Sequence, residues 1–427
     1  MNFRMIRHII GWLLLFECVF LAVPALTAVV YRERVVVYYL GAMALCGLLG
    51  WLCIRRKPPV TALYAREGFV IVAMSWILLS LMGALPLWLS REIPSFVDAL
   101  FETVSGFTTT GASILPKVER LSHAALIWRS FTHWVGGMGV LVFIMAFVPL
   151  SGGRNMHIMK AESPGPSVSK LVPRVRTTAM ILYALYMALT VIEFIFLLCG
   201  RMSVFDALNT AFSTAGTGGF GVRNDGMAGY SNYLQTVVTV FMLLFSINFG
   251  CYYLLLLRRV REAFNAEVRV FLLIVAAAVA VITVDLRLNG VINSVTGESF
   301  TLYGAIHHAA FTVSSLISTT GYATADFDLW PALSKTVLVG VMFIGACAGG
   351  IKVSRILILC KSIRREIEGL VHPHRVRRIT MDRRVVDTDV IRSTNVYFVA
   401  YVLLFAVSVL LISFDDFDLV TNFTAVT

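Results

Sequence analysis

Three segments of this sequence repeat one another in register, and that repetition constrains the fold more than any other feature. Asp98-Ala-Leu-Phe…Thr-Thr-Thr-Gly111 aligns without gaps on Asp206-Ala-Leu-Asn…Gly-Thr-Gly-Gly219 and on His308-Ala-Ala-Phe…Ser-Thr-Thr-Gly321. In each copy the glycine stands thirteen residues after the first position, and a fourth copy opens at Asp418. Each copy is too short and too polar to cross a bilayer, yet apolar runs long enough to do so flank it.

Of 427 residues, 58% are hydrophobic and 14% charged, and the mean hydropathy is +0.80. This predicts an all-α polytopic membrane protein. The net charge of +11 does not point to nucleic acid, because its placement follows membrane topology. Most Lys and Arg fall in alternate loops: the N-terminus, 55–66, 151–176, 258–269 and 352–393. That positive-inside bias predicts a cytoplasmic N-terminus. Arg4 and Arg7, an apolar run and Ala25-Leu-Thr-Ala28 resemble a signal peptide, but the run from His8 to Tyr31 is long enough to span, so an uncleaved first helix is expected. The seven cysteines lie in or beside apolar spans without metal-ligand spacing, and read as small core residues.

Spans near 8–30 and 36–54 form an N-terminal two-helix hairpin, residues 1–60. Pore repeat 1 (61–152) has spans near 67–90 and 122–150 around a Gly/Thr loop at 108–113. Repeat 2 (153–262) has 177–199 and 231–257 around 214–221. Repeat 3 (263–362) has about 268–285 and 335–360 around 318–324, its first span interrupted by Asp285 and Arg287. A basic linker and an incomplete fourth repeat (363–427) carry a span near 394–414 and the start of a short helix. All the Gly/Thr loops fall on the outer side. The arginine-rich segment 361–393 reads as amphipathic and cytoplasmic, touching lipid headgroups or a partner.

Non-helical backbone at membrane depth is tolerated only where protein buries it or it lines a watery cavity. Three loops of one pattern therefore predict a shared cavity. Glycine allows backbone angles that turn carbonyls inward, and rings of carbonyls replace a cation's hydration shell. The short helix before each loop aims its negative end the same way.

The segments FETVSGFTTTGAS, WVGGMGVLVF (Trp134–Phe143), AESPGPSVSKLVPR (Ala161–Arg174), FSTAGTGGFG and STTGYATADF resemble the Trk/Ktr/HKT superfamily of potassium-uptake proteins, most closely the bacterial Trk membrane subunit. The resemblance covers essentially the whole chain. It implies membrane–pore–membrane repeats around a central pore, with K+ as the transported ion, no cofactor and no enzymatic activity. It places the filter at Thr109, Thr110 and Gly111, at Thr217, Gly218 and Gly219, and at Thr319, Thr320 and Gly321. Some relatives with serine in place of a filter glycine prefer sodium, so glycine at all three positions favours potassium. It further implies a gate loop in repeat 3, here Gly345, Ala346, Ala348, Gly349 and Gly350 before Lys352, about four residues shorter than in relatives and without Ser-Thr. A homodimer, a cytoplasmic nucleotide-binding regulatory subunit and the bacterial inner membrane complete the expectation. The family's fourth filter is expected beyond Thr427, which leaves a truncated, non-conducting or non-selective remnant as the alternative.

Glu102 reads either as a carboxylate concentrating cations at the outer mouth or as a structural acid bonded to backbone amides behind the filter; the second is favoured because the first would point into the vestibule. Glu193 and Asn248 lie within spans, Asn248 reading as an interhelical hydrogen bond. Asp206, Asp225 and Asp326 read as caps or loop residues near the outer mouth. His307-His308 and His372-Pro-His374 lack partners at metal-binding spacing. Asn422-Phe-Thr424 fits a glycosylation pattern but falls on a pore helix. No nucleophile elbow, P-loop or HExxH occurs, and GFGVRNDG does not follow a strand. An intramembrane enzyme would need a nucleophile or paired carboxylates in one cavity, which the spans do not offer.

Overall fold

The computed structural model describes residues 2–56, 65–139, 175–292, 299–345, 351–372, 378–382 and 384–426. Among them it is almost wholly helical, and it divides into two compact units. The first runs to Tyr253 and includes Thr320–Thr324; the second takes Leu254–Thr319 and the chain from Ala325.

The first unit holds α1 (Phe3–Phe20), α2 (Ala22–Val30), α3 (Val36–Ile54), α4 (Ala65–Leu89), α5 (Phe96–Phe107), α6 (His123–Gly137), α7 (Val175–Cys199), α8 (Val204–Ala215), α9 (Asn232–Ser246) and the start of α10 (Phe249–Leu256). Side chains of Ser95, Ser122, Ser203 and Ser231 cap α5, α6, α8 and α9 by accepting a backbone N–H in the first turn, which satisfies donors a helix start leaves free. α1 and α3 meet where Gly11 and Gly50 face each other's carbonyls, small residues that let the backbones close.

α6 differs from its neighbours. Every residue from Ala124 to Val135 is buried, the pattern of a helix enclosed on all sides rather than one facing lipid. Its N-terminus is held by Glu33, whose carboxylate accepts the His123 and Ala124 N–H groups at 2.8 and 3.1 Å, where the positive end of the helix dipole favours an anion.

The second unit holds α11 (Ala266–Leu288), α12 (Leu302–Ile317), α13 (Ala332–Ile344), α14 (Val353–Val371), a hairpin of β1 (Thr380–Met381) and β2 (Arg384–Val385), α15 (Thr388–Ile412) and α16 (Leu419–Val426). Phe343, Phe405 and Phe423 form a ring cluster that joins α13, α15 and α16.

Among the described residues, six helical stretches are long and apolar enough to cross a membrane: Phe3–Val30, Val36–Ile54, Arg66–Leu89, Thr177–Cys199, Ala266–Leu288 and Thr388–Asp415. Four expectations need correction. The repeat-2 span near 231–257 is not one helix, because α9 and α10 meet at 90°. Asn248 is the reason on the α10 side: its Oδ1 accepts the Gly250 N–H at 2.9 Å, so it caps a new helix instead of bonding between helices. The repeat-3 stretch near 335–360, where a loop is expected from Gly345, holds α13 and α14, and the Ile351 N–H returns to the Phe343 carbonyl at 3.2 Å. Conversely, α11 runs unbroken through Asp285 and Arg287; Asp285 accepts the Ser334 N–H and hydroxyl at the start of α13, and Arg287 donates to the Phe300 carbonyl. Finally, Cys46 and Cys251 are buried, but Cys199 and Cys360 stand on exposed surface; Cys347 lies outside the described residues.

Candidate functional site

The repeated segments end in one backbone turn, built three times. α5, α8 and α12 stop at the equivalent residues Phe107, Ala215 and Ile317, and the next residue in each is still right-handed. Then Thr109, Thr217 and Thr319 take positive φ of 56°, 54° and 61°. The Thr109 and Thr110 N–H groups donate to the Gly106 and Ser105 carbonyls at 3.1 and 2.9 Å. Thr217 and Gly218 repeat this on Thr214 and Ser213, both at 3.0 Å, and Thr319 donates to Leu316 at 3.1 Å. This is a helix ending whose left-handed position glycine usually fills. A threonine there costs roughly 1–2 kcal/mol. The same strained choice at three equivalent positions marks a functional element.

Two residues on, Gly111, Gly219 and Gly321 take φ of 77°, 78° and 84°. A Cβ on Gly111 would collide with the Gly218 carbonyl oxygen, and one on Gly219 with the Thr320 carbonyl oxygen. Gly218 and Thr320 occupy the same register position, so one step carries copy one onto copy two and copy two onto copy three. A Cβ on Gly321 would meet nothing within 4 Å among the described residues.

Behind the first two turns lies α6. Cβ atoms on Gly106 and Gly136 would strike Thr132 and the Phe107 carbonyl, and those on Gly216 and Gly218 would strike His133. The His133 ring stacks on Phe220 at 4.1 Å between centroids, and its Nδ1 lies 2.8 Å from Ser213 Oγ in α8. One turn earlier, Arg129 donates from Nε to Glu102 Oε1 at 2.6 Å and from Nη2 to Ser113 Oγ at 3.2 Å. Glu102 also accepts the Ser113 hydroxyl at 2.9 Å and the Ile114 N–H at 3.2 Å. The Arg129 guanidinium lies 4.1 Å from the Phe220 ring centroid, a cation–π contact. Tyr322 donates to the Phe220 carbonyl at 3.3 Å. Residues that follow each of the three glycines are thus tied to one another.

Glu102 is a buried structural acid that holds a loop amide, and its main partner is Arg129, which the sequence reading passed over. The one available signal was an arginine inside an otherwise apolar span. His133, Phe220 and Tyr322 were also missed, since nothing local distinguishes them from core aromatics. Glu193 is buried in α7, with Thr214 of α8 as its polar neighbour. Asp326 caps a short turn by accepting the Asp328 N–H at 3.0 Å, and Asp206 accepts from the Tyr230 hydroxyl at 3.2 Å.

Outside the turns, Asn224 ties two loops. Its Oδ1 accepts the Val118 N–H at 2.9 Å, its Nδ2 donates to the Pro116 carbonyl at 2.9 Å, and its N–H donates to Glu119 Oε1 at 2.7 Å. That last bond holds the Glu119 carboxyl below its ordinary value.

Of the gate residues, Gly345 ends α13 and Lys352, at φ 68°, precedes α14. Ala346, Ala348, Gly349 and Gly350 lie outside the described residues, as do Ala161–Arg174 and His374. No group of three His, Cys, Asp or Glu is placed to hold a metal ion among the described residues.

Apolar stretches of bilayer length, with short helices between them that end in repeated Thr/Gly turns, define a polytopic membrane transport protein. Comparison with known proteins agrees. Residues 33–427 match the family model described as TrkH, cation transport protein. The chain is 34% identical to the Trk system potassium uptake protein TrkH of Salmonella typhimurium, over 98% of this chain and 88% of that one. It is 32% identical to the Trk system potassium uptake protein TrkG of Escherichia coli, over 99% and 88%. The crystal structure of the potassium transporter TrkH from Vibrio parahaemolyticus superposes with a TM-score of 0.87 at 30% identity, covering 100% of this chain and 88% of that one. The chain belongs to the TrkH family of cation transport proteins.

Proposed function

We propose that this chain takes up potassium across the bacterial inner membrane, with its N-terminus in the cytoplasm. The filter is the backbone of Thr109-Thr110-Gly111, Thr217-Gly218-Gly219 and Thr319-Thr320-Gly321, contributed by successive membrane–pore–membrane repeats. The single observation that carries this reading is the repeated turn: threonine and glycine left-handed at the same register three times, each of the first two glycines against the next copy's carbonyl. That step is what carbonyls arranged around one axis require, and such carbonyls substitute for a cation's water. The names of the relatives supply the ion. Glycine rather than serine at all three filter positions favours potassium over sodium.

The break between α13 and α14, bounded by Gly345 and Lys352, is the proposed cytoplasmic gate. A homodimer with a nucleotide-binding regulatory subunit on the cytoplasmic loops completes the proposal. Rubidium-tracer uptake with sodium competition, in cells lacking their own potassium uptake, tests it. Saturable, sodium-resistant uptake is expected from a well-inserted chain. No uptake, or uptake that sodium abolishes, overturns the potassium reading and returns the chain to a non-conducting or non-selective member of the family.

A further inference from the structure

α14 carries three distinct faces. Ser354, Ile358 and Ser362 are buried, Ile358 packing with Ile379 and Ile391. Ile363, Ile367, Leu370 and Val371 recur at helical spacing on another face and are 60, 57, 84 and 67% exposed. Between these faces lie the charges. Lys361, Arg364, Arg365 and Arg378 line a cavity of about 220 Å³ with Glu368 and Thr380. Lys361 Nζ donates to the Thr380 carbonyl at 2.7 Å and Arg364 Nε to Glu368 at 2.9 Å, while Arg365 pairs with Glu366 at 2.7 Å. Arg378 makes no ion pair among the described residues. Four cations face one lining carboxylate, and each guanidinium keeps donors to spare.

We propose that this cavity holds the headgroup phosphate of an anionic phospholipid, with the Ile363–Val371 stripe set into the acyl boundary beside it. An amphipathic helix with basic residues flanking an apolar stripe binds an anionic membrane surface through both at once. A soluble phosphate would use only the cations and leave the stripe in water. The placement in the chain agrees: α14 follows the apolar α13, and the hairpin leads into the span Thr388–Asp415, whose most apolar window has 0% of its residues buried within the protein. This site is independent of the filter and of the transported ion.

The test is native mass spectrometry and thermal melting of the purified full-length chain in neutral detergent, titrated with phosphatidylglycerol, phosphatidylcholine or inorganic phosphate. Phosphatidylglycerol is expected to be retained over phosphatidylcholine and to raise the melting midpoint. Arg364→Gln with Arg378→Gln should weaken phosphatidylglycerol binding, roughly fivefold for each charge removed. Ile367→Ser with Leu370→Ser should weaken it as well, and Glu368→Gln should strengthen it. All these side chains are at the surface, so each variant's lipid-free melt serves as the folding control. Equal retention of the two lipids, or phosphatidylglycerol binding indifferent to the arginine variant, overturns the proposal. Displacement by inorganic phosphate with the stripe variant unaffected makes this a free-phosphate site and overturns it too. Loss of self-association in the stripe variant with lipid binding unchanged assigns the stripe to a second copy of the chain instead.

Discussion

Arg129 Nε lies 2.6 Å from Glu102 Oε1, and both side chains are buried. The pair joins α6 to α5 and, through Ser113 and Ile114, fixes the segment leaving the first Thr/Gly turn. Removing one partner leaves a buried charge alone, at a cost of about 3–5 kcal/mol, whereas an apolar replacement of both is far cheaper. Arg129→Met or Glu102→Met alone should therefore lower the melting midpoint and uptake sharply, and the double variant should recover most of the stability. Melting and rubidium uptake of all three variants check this. A double variant no more stable than the singles would show that the pair does not act as a unit.

The proposed filter glycines Gly111 and Gly219 should not accept a side chain. Serine at Gly111 must displace the Gly218 carbonyl and serine at Gly219 the Thr320 carbonyl, on top of a left-handed strain of roughly 1–2 kcal/mol. Gly111→Ser and Gly219→Ser should each reduce potassium-over-sodium discrimination in competition flux. Unchanged selectivity in Gly111→Ser would sink the filter assignment.

Thr217 combines a left-handed backbone with a buried hydroxyl that has no hydrogen-bond partner among the described residues. Glycine relieves the strain and leaves no polar group unpaired, so Thr217→Gly should melt at least as high as the parent chain, offset only by about 0.5–1 kcal/mol of backbone entropy. A large loss of stability would mean the threonine side chain carries packing that this accounting omits.

Glu119 gives the loops that Asn224 joins a pH dependence. Its carboxyl sits lower in the folded chain than its ordinary value, chiefly because it accepts the Asn224 N–H. A depressed carboxylate adds stability above the unfolded pKa, about 4.3 for Glu, and loses it as pH falls through the folded value. Acidification below that range should loosen residues 114–121 from 220–226, seen as faster amide exchange at Val118 and Asn224. Glu119→Gln should show the faster exchange already at neutral pH and little further change on acidification.

Most of the helices were legible because their cause is local. Apolar runs of bilayer length gave spans close to α1–α4, α7, α11 and α15, and the thirteen-residue spacing located the turns. The break at Ile247–Asn248 was not legible, because hydropathy averages over the residues where a helix bends and does not register a cap such as Asn248. Arg129 was passed over for a related reason: its partner lies 27 residues away, and only packing brings them together.

By itself, the sequence determined that this is a polytopic membrane protein and that three Thr/Gly turns are equivalent, since apolar length and glycine spacing act along the chain. Tertiary structure decided how those turns are held. Which carbonyl faces Gly111, which acid meets Arg129 and what stacks on Phe220 depend on segments more than a hundred residues apart in some cases, and α6, buried on all sides, is where those distant segments are fastened.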